Sequence, residues 1–369
     1  MSVLIISPPF VQLNSPYASL PFLHGFLKAN GVRSSCMDLG IRITGRLFSK
    51  TGLDLLSGHG TDDRYSNTVG SVVEFLKGNN EAVAKQVLSG NFLPEGKMTK
   101  AAIPKERSGL NDHDYARYLS SLYLEDIFLN YQKICPDYGL SRYGERISLN
   151  SPVFDDIYRS VSGKNDLIGT MIEEELEKAG VAGFNIIAFT LPFPGTLIGA
   201  LKAAGYVRRY YPEKTIVFGG GYINTELRVL SDPKIFDFTD FICLDDGEIP
   251  LLKITEFSEN KISKIELVRT FYRDGNKVVF SDNSQLKIEV KRGTPDYSGL
   301  DMKSYIPVYE SVNPMIKLWS EKDTLKLRLA KGCYWHKCAF CDTTLPYIKD
   351  YAPEKIENIV SDKIGRAHV

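Results

Sequence analysis

The chain has 369 residues, of which 43% are hydrophobic and 24% are charged, as in ordinary globular proteins. Its 45 basic and 45 acidic side chains balance to a formal net charge of zero, which argues against nucleic acid or an anionic membrane as the main partner. Length alone allows about two to three domains.

The first forty residues predict a strand, a helix and a second strand. Residues 3–7 form a β-branched run, residues 20–30 have helical spacing and end at Gly31, and residues 34–39 form another apolar run. The first strand has neither the basic leader nor the small-residue cleavage site of a signal peptide. We therefore expect a cytoplasmic protein.

A mostly helical insertion is expected over about residues 42–180, and we assign it no chemistry. The apolar stretch 181–206 that follows contains Asn185, Pro192 and Gly195. In lipid such breaks would leave backbone groups unpaired, so a buried strand, a turn and a buried helix explain this stretch better than a membrane span.

Strands and helices alternate again from residue 185, with apolar runs at 185–190, 214–218 and 238–244. This alternation predicts an α/β fold with a doubly wound, Rossmann-like parallel sheet, whose ligands bind at the carboxyl ends of the strands. Asp274 and Gly275 mark a hairpin, and residues 287–307 indicate a linker before a new strand at 325–330. The expected units are an α/β domain at 1–255, a hairpin and linker at 256–320, and a further domain at 321–369.

The six cysteines fall into two groups. Three of them are scattered in apolar runs, which is typical of core packing; these are Cys36, Cys135 and Cys243. The other three are clustered, and in a cytoplasmic protein clustering favours metal or redox chemistry over disulfides; these are Cys333, Cys338 and Cys341.

Three thiolates on one short loop can hold three irons of a four-iron, four-sulfur cluster and leave the fourth iron open. Here a predicted strand leads to Gly332, Cys333 follows, and Phe340 immediately precedes Cys341. The segment resembles the signature loop of the radical S-adenosylmethionine superfamily. One departure is that four residues separate Cys333 from Cys338, where that family usually has three.

This resemblance implies that the three clustered cysteines bind a [4Fe-4S] cluster and that Phe340 packs near the adenine of S-adenosylmethionine. The cofactor would chelate the open iron and be cleaved to a 5′-deoxyadenosyl radical. Two alternatives compete with this interpretation. Zinc prefers four ligands, of which His336 could be one, and a plant-type two-iron ferredoxin loop has the same spacing but needs a fourth cysteine, which does not follow Cys341.

Five segments stand at the ends of predicted elements, namely 7–10, the helix entry near Pro21, 190–195, 219–221 and 245–248. Together they resemble the cobalamin-binding domain that is fused to many radical enzymes, over about residues 1–255 apart from the helical stretch. The resemblance implies cobalamin contacts from Ser7, Pro8, Thr190, Leu191, Pro192, Gly195, Gly219, Gly220, Gly221, Asp245, Gly247 and Glu248. The Asp-x-His-x-x-Gly motif is lacking, so we expect no histidine on cobalt. A domain that keeps the fold without the cofactor is the alternative.

The end of the sequence carries a separate expectation. Residues 364–369 resemble the translation of a sequencing-adapter read-through, and residues 321–369 supply only the first strand, loop and helix of the partial (β/α) barrel typical of radical enzymes. One such unit cannot bury both faces of a sheet. We therefore expect a truncated catalytic domain and a fragment that is inactive by itself.

The sequence thus predicts a radical S-adenosylmethionine enzyme, with a cobalamin-dependent C-methyltransferase or a related modifier as the leading interpretation. The substrate would be a small metabolite or a peptide, and a flavodoxin or ferredoxin would supply electrons. No catalytic side chain is assigned. The alternative is a non-catalytic module that binds cobalamin or a nucleotide and carries a structural zinc.

Overall fold

A seven-stranded sheet organises the protein in this computed structural model. The structure describes residues 1–56, 59–60, 62–140, 154–163, 165–309, 311–313, 315, 318, 325–339 and 341–366. The strands of the large sheet are β1 (Ser2–Ser7), β2 (Arg33–Asp38), β3 (Ile186–Thr190), β4 (Thr215–Gly219), β5 (Phe241–Cys243), β6 (Thr270–Asp274) and β7 (Lys277–Ser281). A second sheet pairs β8 (Ala330–Lys331) with β9 (Ala352–Pro353) in antiparallel fashion.

Fifteen α-helices lie within the described ranges, together with several short 3₁₀ turns. They are α1 (Ser19–Ala29), α2 (Leu39–Leu47), α3 (Lys50–Asp54), α4 (Arg64–Leu76), α5 (Val83–Leu88), α6 (Lys97–Lys100), α7 (Lys105–Ser108), α8 (Asp112–Gln132), α9 (Phe154–Ser162), α10 (Leu167–Lys178), α11 (Leu197–Tyr210), α12 (Gly221–Glu226), α13 (Glu248–Ser258), α14 (Pro346–Lys349) and α15 (Ile356–Arg366).

The strand order is β2-β1-β3-β4-β5-β6-β7, and the first five strands are parallel. This confirms the predicted α/β class with a mostly parallel sheet. The chain moves outward from β1 to β2 and then returns to the other side of β1 as β3. The loops after β1 and β3 therefore diverge and open a crevice at their carboxyl ends, which is where doubly wound sheets bind ligands.

Both faces of the parallel sheet are covered, which is why the central strands β1, β3 and β4 have nearly continuous apolar runs instead of alternating, whereas the edge strand β2 is mostly polar. Helices α1 and α13 cover the face that carries Ile5, Ala188 and Val217. Helices α2, α10 and α11 cover the opposite face, which carries Phe189 and Phe218. The crevice is thus bounded by α1 and α13 on one side of the sheet.

The predicted hairpin joins this sheet and does not form part of a separate unit. Strand β6 pairs with β5 in antiparallel fashion, and β7 pairs with β6 across Gly275, which has a φ of 57°. The sequence showed the hairpin through its turn residues, but the edge that it joins depends on the exposed backbone groups of β5, which no local pattern reveals.

The helical stretch is confirmed in its described part, and it shares its core with the sheet. The long helix α8 places Phe128 edge-on against Phe10, at a centroid distance of 5.2 Å. Tyr131 on the same helix donates a hydrogen bond to the carbonyl of Leu47 at 3.0 Å. The stretch is therefore packed onto the α/β core instead of forming an independent cap.

Residues 291–309 also pack against the domain, although the sequence indicated a linker there. The amide of Asp296 bonds the carbonyl of Pro21 at 2.9 Å, and the amide of Ile306 bonds the carbonyl of Leu13 at 2.7 Å. The buried Tyr305 hydroxyl donates to Asp38 at 2.9 Å. This segment holds the rest of the chain close to the crevice.

Asp38 gives a pH-dependent contribution to stability that can be measured. It lies at the end of β2, where it accepts hydrogen bonds from the Ile41 amide and from Tyr305, and burial raises its pKa to about 6. Because the folded protein binds this proton more tightly than the unfolded chain, ionisation of Asp38 opposes folding as the pH rises through about 4 to 6.

We expect the free energy of unfolding of Asp38→Asn, relative to the wild type, to rise by about 2 kcal/mol between about pH 4.5 and about pH 7. Urea denaturation of both proteins at the two pH values measures this difference, and the many exposed carboxylates cancel in the comparison. A difference that is independent of pH would show that Asp38 is not desolvated as described.

Candidate functional site

A cavity of about 830 Å³ lies at the carboxyl ends of β1, β3, β4 and β5, on the side of the sheet covered by α1 and α13. Its floor is apolar, with Ile5, Ala188, Val217 and Leu251 among its residues. The volume is within the range of cofactor and small-molecule pockets, about 300–1,000 Å³. The cavity therefore occupies the position that the strand pattern predicts for a ligand.

Seven of the residues predicted to contact a cofactor line this cavity. They are Thr190, Gly219, Gly220, Gly221, Asp245, Gly247 and Glu248. They come from three strand ends that are distant in sequence, and the fold brings them together as expected for a parallel sheet.

Five other predicted contacts are not among the cavity residues. They are Ser7, Pro8, Leu191, Pro192 and Gly195. Leu191 is buried in the main core, and its amide bonds the carbonyl of Gly219 at 2.7 Å. The Ser7 hydroxyl is also buried, and it has no hydrogen-bond partner in the part of the chain described. The loop after β3 therefore supports the wall of the cavity from behind.

The glycine triplet has two different functions in this wall. Gly220 has a φ of 115°, and a Cβ there would lie 2.5 Å from the carbonyl oxygen of Leu191. A Cβ on Gly221 would lie 2.8 Å from the carbonyl oxygen of Pro192. These two glycines are thus required by contact with the neighbouring loop. Of the three glycines in the triplet, Gly219 has room for a Cβ, whose nearest neighbours would be atoms of Cys243 at 3.7 Å.

The acidic segment after β5 is engaged in ion pairs. Asp245 pairs with Arg228 and with Arg269, the latter at 2.5 Å, and its amide donates to the Asn224 side chain at 2.6 Å. Neither arginine was predicted from the sequence, because Arg228 lies 17 residues before Asp245 and Arg269 lies 24 residues after it. Asp245 therefore stiffens the cavity wall rather than presenting a free carboxylate.

Two more ion pairs attach the C-terminal segment to the same wall. Arg328 donates to Glu248 at 2.9 Å, with its guanidinium 5.4 Å from the centroid of the Phe22 ring. Lys331 lies 2.5 Å from Asp246. Residues 326–330 consequently line the cavity directly.

The strand predicted at 325–330 is shorter, since β8 contains only Ala330 and Lys331. Residues 325–329 have no regular secondary structure, and Arg328 among them contacts Phe22 on α1 and Glu248 on α13. The helix predicted after the cysteine loop is present as α15.

Further cavity residues come from the region around α1. Tyr17, Ser19 and Phe22 all line the cavity, and the Ser19 hydroxyl lies 2.8 Å from that of Thr190. Their position directly after the loop that follows β1 was the available signal, since this loop borders the crevice in doubly wound sheets.

The three clustered cysteines are half-buried next to the cavity, whereas residues 334–337 between the first two are exposed, and none of the three forms a disulfide. The Cys333 amide bonds the carbonyl of Ile348 at 2.8 Å, and its sulfur accepts from the Trp335 amide at 3.3 Å. Both flanks of the loop line the cavity, through residues 326–330 on one side and Tyr347 on the other. Phe340 lies outside the described residues.

As a donor set, three free thiols on one loop suit an iron–sulfur cluster. Within the described ranges, however, no group of three or more His, Cys, Asp or Glu side chains is arranged to hold a metal ion. The fit to a cluster therefore rests on the chemistry of Cys333, Cys338 and Cys341 and not on their present arrangement.

The scattered cysteines are buried, as predicted. Burial raises the pKa of Cys36 and of Cys243 to about 12, so both thiols stay protonated and unreactive near neutral pH. Cys135 is likewise buried, and burial raises its pKa. The two groups of cysteines thus differ in exposure as well as in spacing.

Comparison with known proteins adds no family assignment. No protein-family model matches the chain, and no curated protein matches it significantly. Of the helices that the structure describes, none has the length and apolar character needed to cross a membrane.

Proposed function

We propose that this chain is the cofactor-binding part of a radical S-adenosylmethionine enzyme, in which the α/β cavity binds cobalamin and the cysteine loop binds a [4Fe-4S] cluster. The observation that carries the proposal is that both flanks of the cysteine loop line the cavity at the strand ends. Two cofactors held in this way would lie next to each other, as a reaction that uses both requires.

The cavity supports the cobalamin half of the proposal. The apolar floor can pack against the corrin ring. A polar rim is formed by the glycine-containing strand ends and by the hydroxyls of Ser19 and Thr190. Cofactor sites have this combination of apolar walls with a few oriented polar groups. Cobalamin bound there would supply a methyl group for transfer to carbon.

The loop supports the cluster half. Cys333, Cys338 and Cys341 would be the three protein ligands, and Phe340 would pack near the adenine of S-adenosylmethionine. When bound, such a cluster supplies the electron that cleaves S-adenosylmethionine to a 5′-deoxyadenosyl radical. A flavodoxin or ferredoxin would deliver that electron, and the substrate class is a small metabolite or a peptide.

Titration of the purified chain with hydroxocobalamin tests the cavity assignment. We expect about one corrinoid per chain to be retained through gel filtration, with a change in its visible spectrum, because a crevice of this size with an apolar floor removes much of its ligand's surface from water. A chain that retains no corrinoid and leaves the spectrum unchanged would contradict the assignment. Albumin at equal concentration controls for nonspecific retention.

A further inference from the structure

Among the residues that the structure describes, the charged side chains that line the cavity are in ion pairs, with one exception. Asp245 pairs with Arg228 and Arg269, Asp246 pairs with Lys331, and Glu248 pairs with Arg328. The exception is a lysine four residues before β8, Lys326.

Lys326 lines the cavity near Arg328, and its backbone amide donates a hydrogen bond to the Tyr297 hydroxyl at 3.2 Å. In the described part of the chain its ammonium has no carboxylate within ion-pair distance. Burial lowers the pKa of Lys326, so the ammonium is partly desolvated without compensation by a neighbouring charge. Such a group gains most from an anion that enters the cavity with a ligand.

We infer that Lys326 binds a phosphate group of the ligand that fills this cavity. The inference rests on the proposed function in taking the cavity as a cofactor site, and it goes further by naming the ligand's anionic group and the residue that holds it. A ligand that fits the apolar floor and also binds the Lys326 ammonium would combine ring systems with one phosphate.

Two sources of such a group fit the cavity. The nucleotide loop of cobalamin contains a phosphodiester, whereas cobinamide has the corrin ring but lacks this loop. A mononucleotide such as FMN also combines rings with a phosphate, and doubly wound sheets with this strand order bind FMN at the same crevice. Binding of these three probes distinguishes the sources.

The test measures the dissociation constants of hydroxocobalamin, cobinamide and FMN for the wild type and for Lys326→Met. We expect the substitution to weaken hydroxocobalamin binding by about tenfold or more, because one charge-assisted hydrogen bond is lost, and to leave cobinamide binding unchanged. Lys326→Arg keeps the positive charge and should retain most of the wild-type affinity for hydroxocobalamin. Lys253→Met is the matched control, since Lys253 is on α13 outside the cavity and pairs with Glu256 at 2.7 Å.

The outcomes separate this inference from the proposed function. If the wild type binds hydroxocobalamin and Lys326→Met binds it equally well, the inference is wrong and the cobalamin site stands. If the wild type binds FMN but neither corrinoid, and Lys326→Met weakens FMN binding, the inference stands and the cobalamin proposal fails. A wild type that binds none of the three probes overturns both, and equal weakening of cobinamide would show that Lys326 does not act through the phosphate.

Discussion

Replacing Gly220 with alanine is expected to lower the free energy of unfolding by about 3 to 5 kcal/mol. The φ of 115° at this position is in a region that side chains rarely adopt. In addition, the new Cβ would lie 2.5 Å from the carbonyl oxygen of Leu191, where backbone rather than a flexible side chain must move. Since Gly220 also lines the cavity, ligand binding should be lost together with stability.

Gly219→Ala is the matched control for this substitution. Its Cβ would have only ordinary contacts at 3.7 Å, and its φ is not in the left-handed region. We expect a change of less than about 1 kcal/mol in the free energy of unfolding, as is usual outside strained positions. Chemical denaturation of both variants measures the contrast, and equal stabilities would mean that the wall does not have the described geometry.

The cysteine loop gives the other large expected effect. Cys338→Ala should remove nearly all bound iron after anaerobic reconstitution, because a [4Fe-4S] cluster that keeps one iron open for S-adenosylmethionine needs all three thiolates. Cys135→Ala should retain the full iron content, since Cys135 is buried in the hydrophobic core and is not part of the cysteine loop. Equal iron contents in the two variants would show that the cysteine loop does not bind the iron.

Local patterns predicted most of the parallel sheet. Apolar runs bounded by glycine or proline gave β1, β3 and β4 to within one or two residues. Strand β5 is shorter than its apolar run of 238–244, since it contains only Phe241–Cys243. Such ends depend on which backbone groups find partners in the neighbouring strand, and sequence periodicity does not contain that information.

The candidate site was predictable where it depends on strand ends and not where it depends on distant ion pairs. Gly219 and Glu248 were implied by the family resemblance, and they lie at the carboxyl ends of parallel strands, where such sheets bind ligands. Arg328 could not be found in this way, because it reaches Glu248 across 80 residues of sequence. Lys326 was missed for a related reason, since its significance lies in the absence of a partner within the described structure and not in any motif.

The most direct test of the central claim is the iron and acid-labile sulfide content of the wild-type chain after anaerobic reconstitution. We expect about four irons and about four sulfides per chain, with an absorption shoulder typical of a [4Fe-4S] cluster that changes when S-adenosylmethionine is added. About one zinc per chain without sulfide would contradict it. That result would indicate a structural metal site and a non-catalytic binding module.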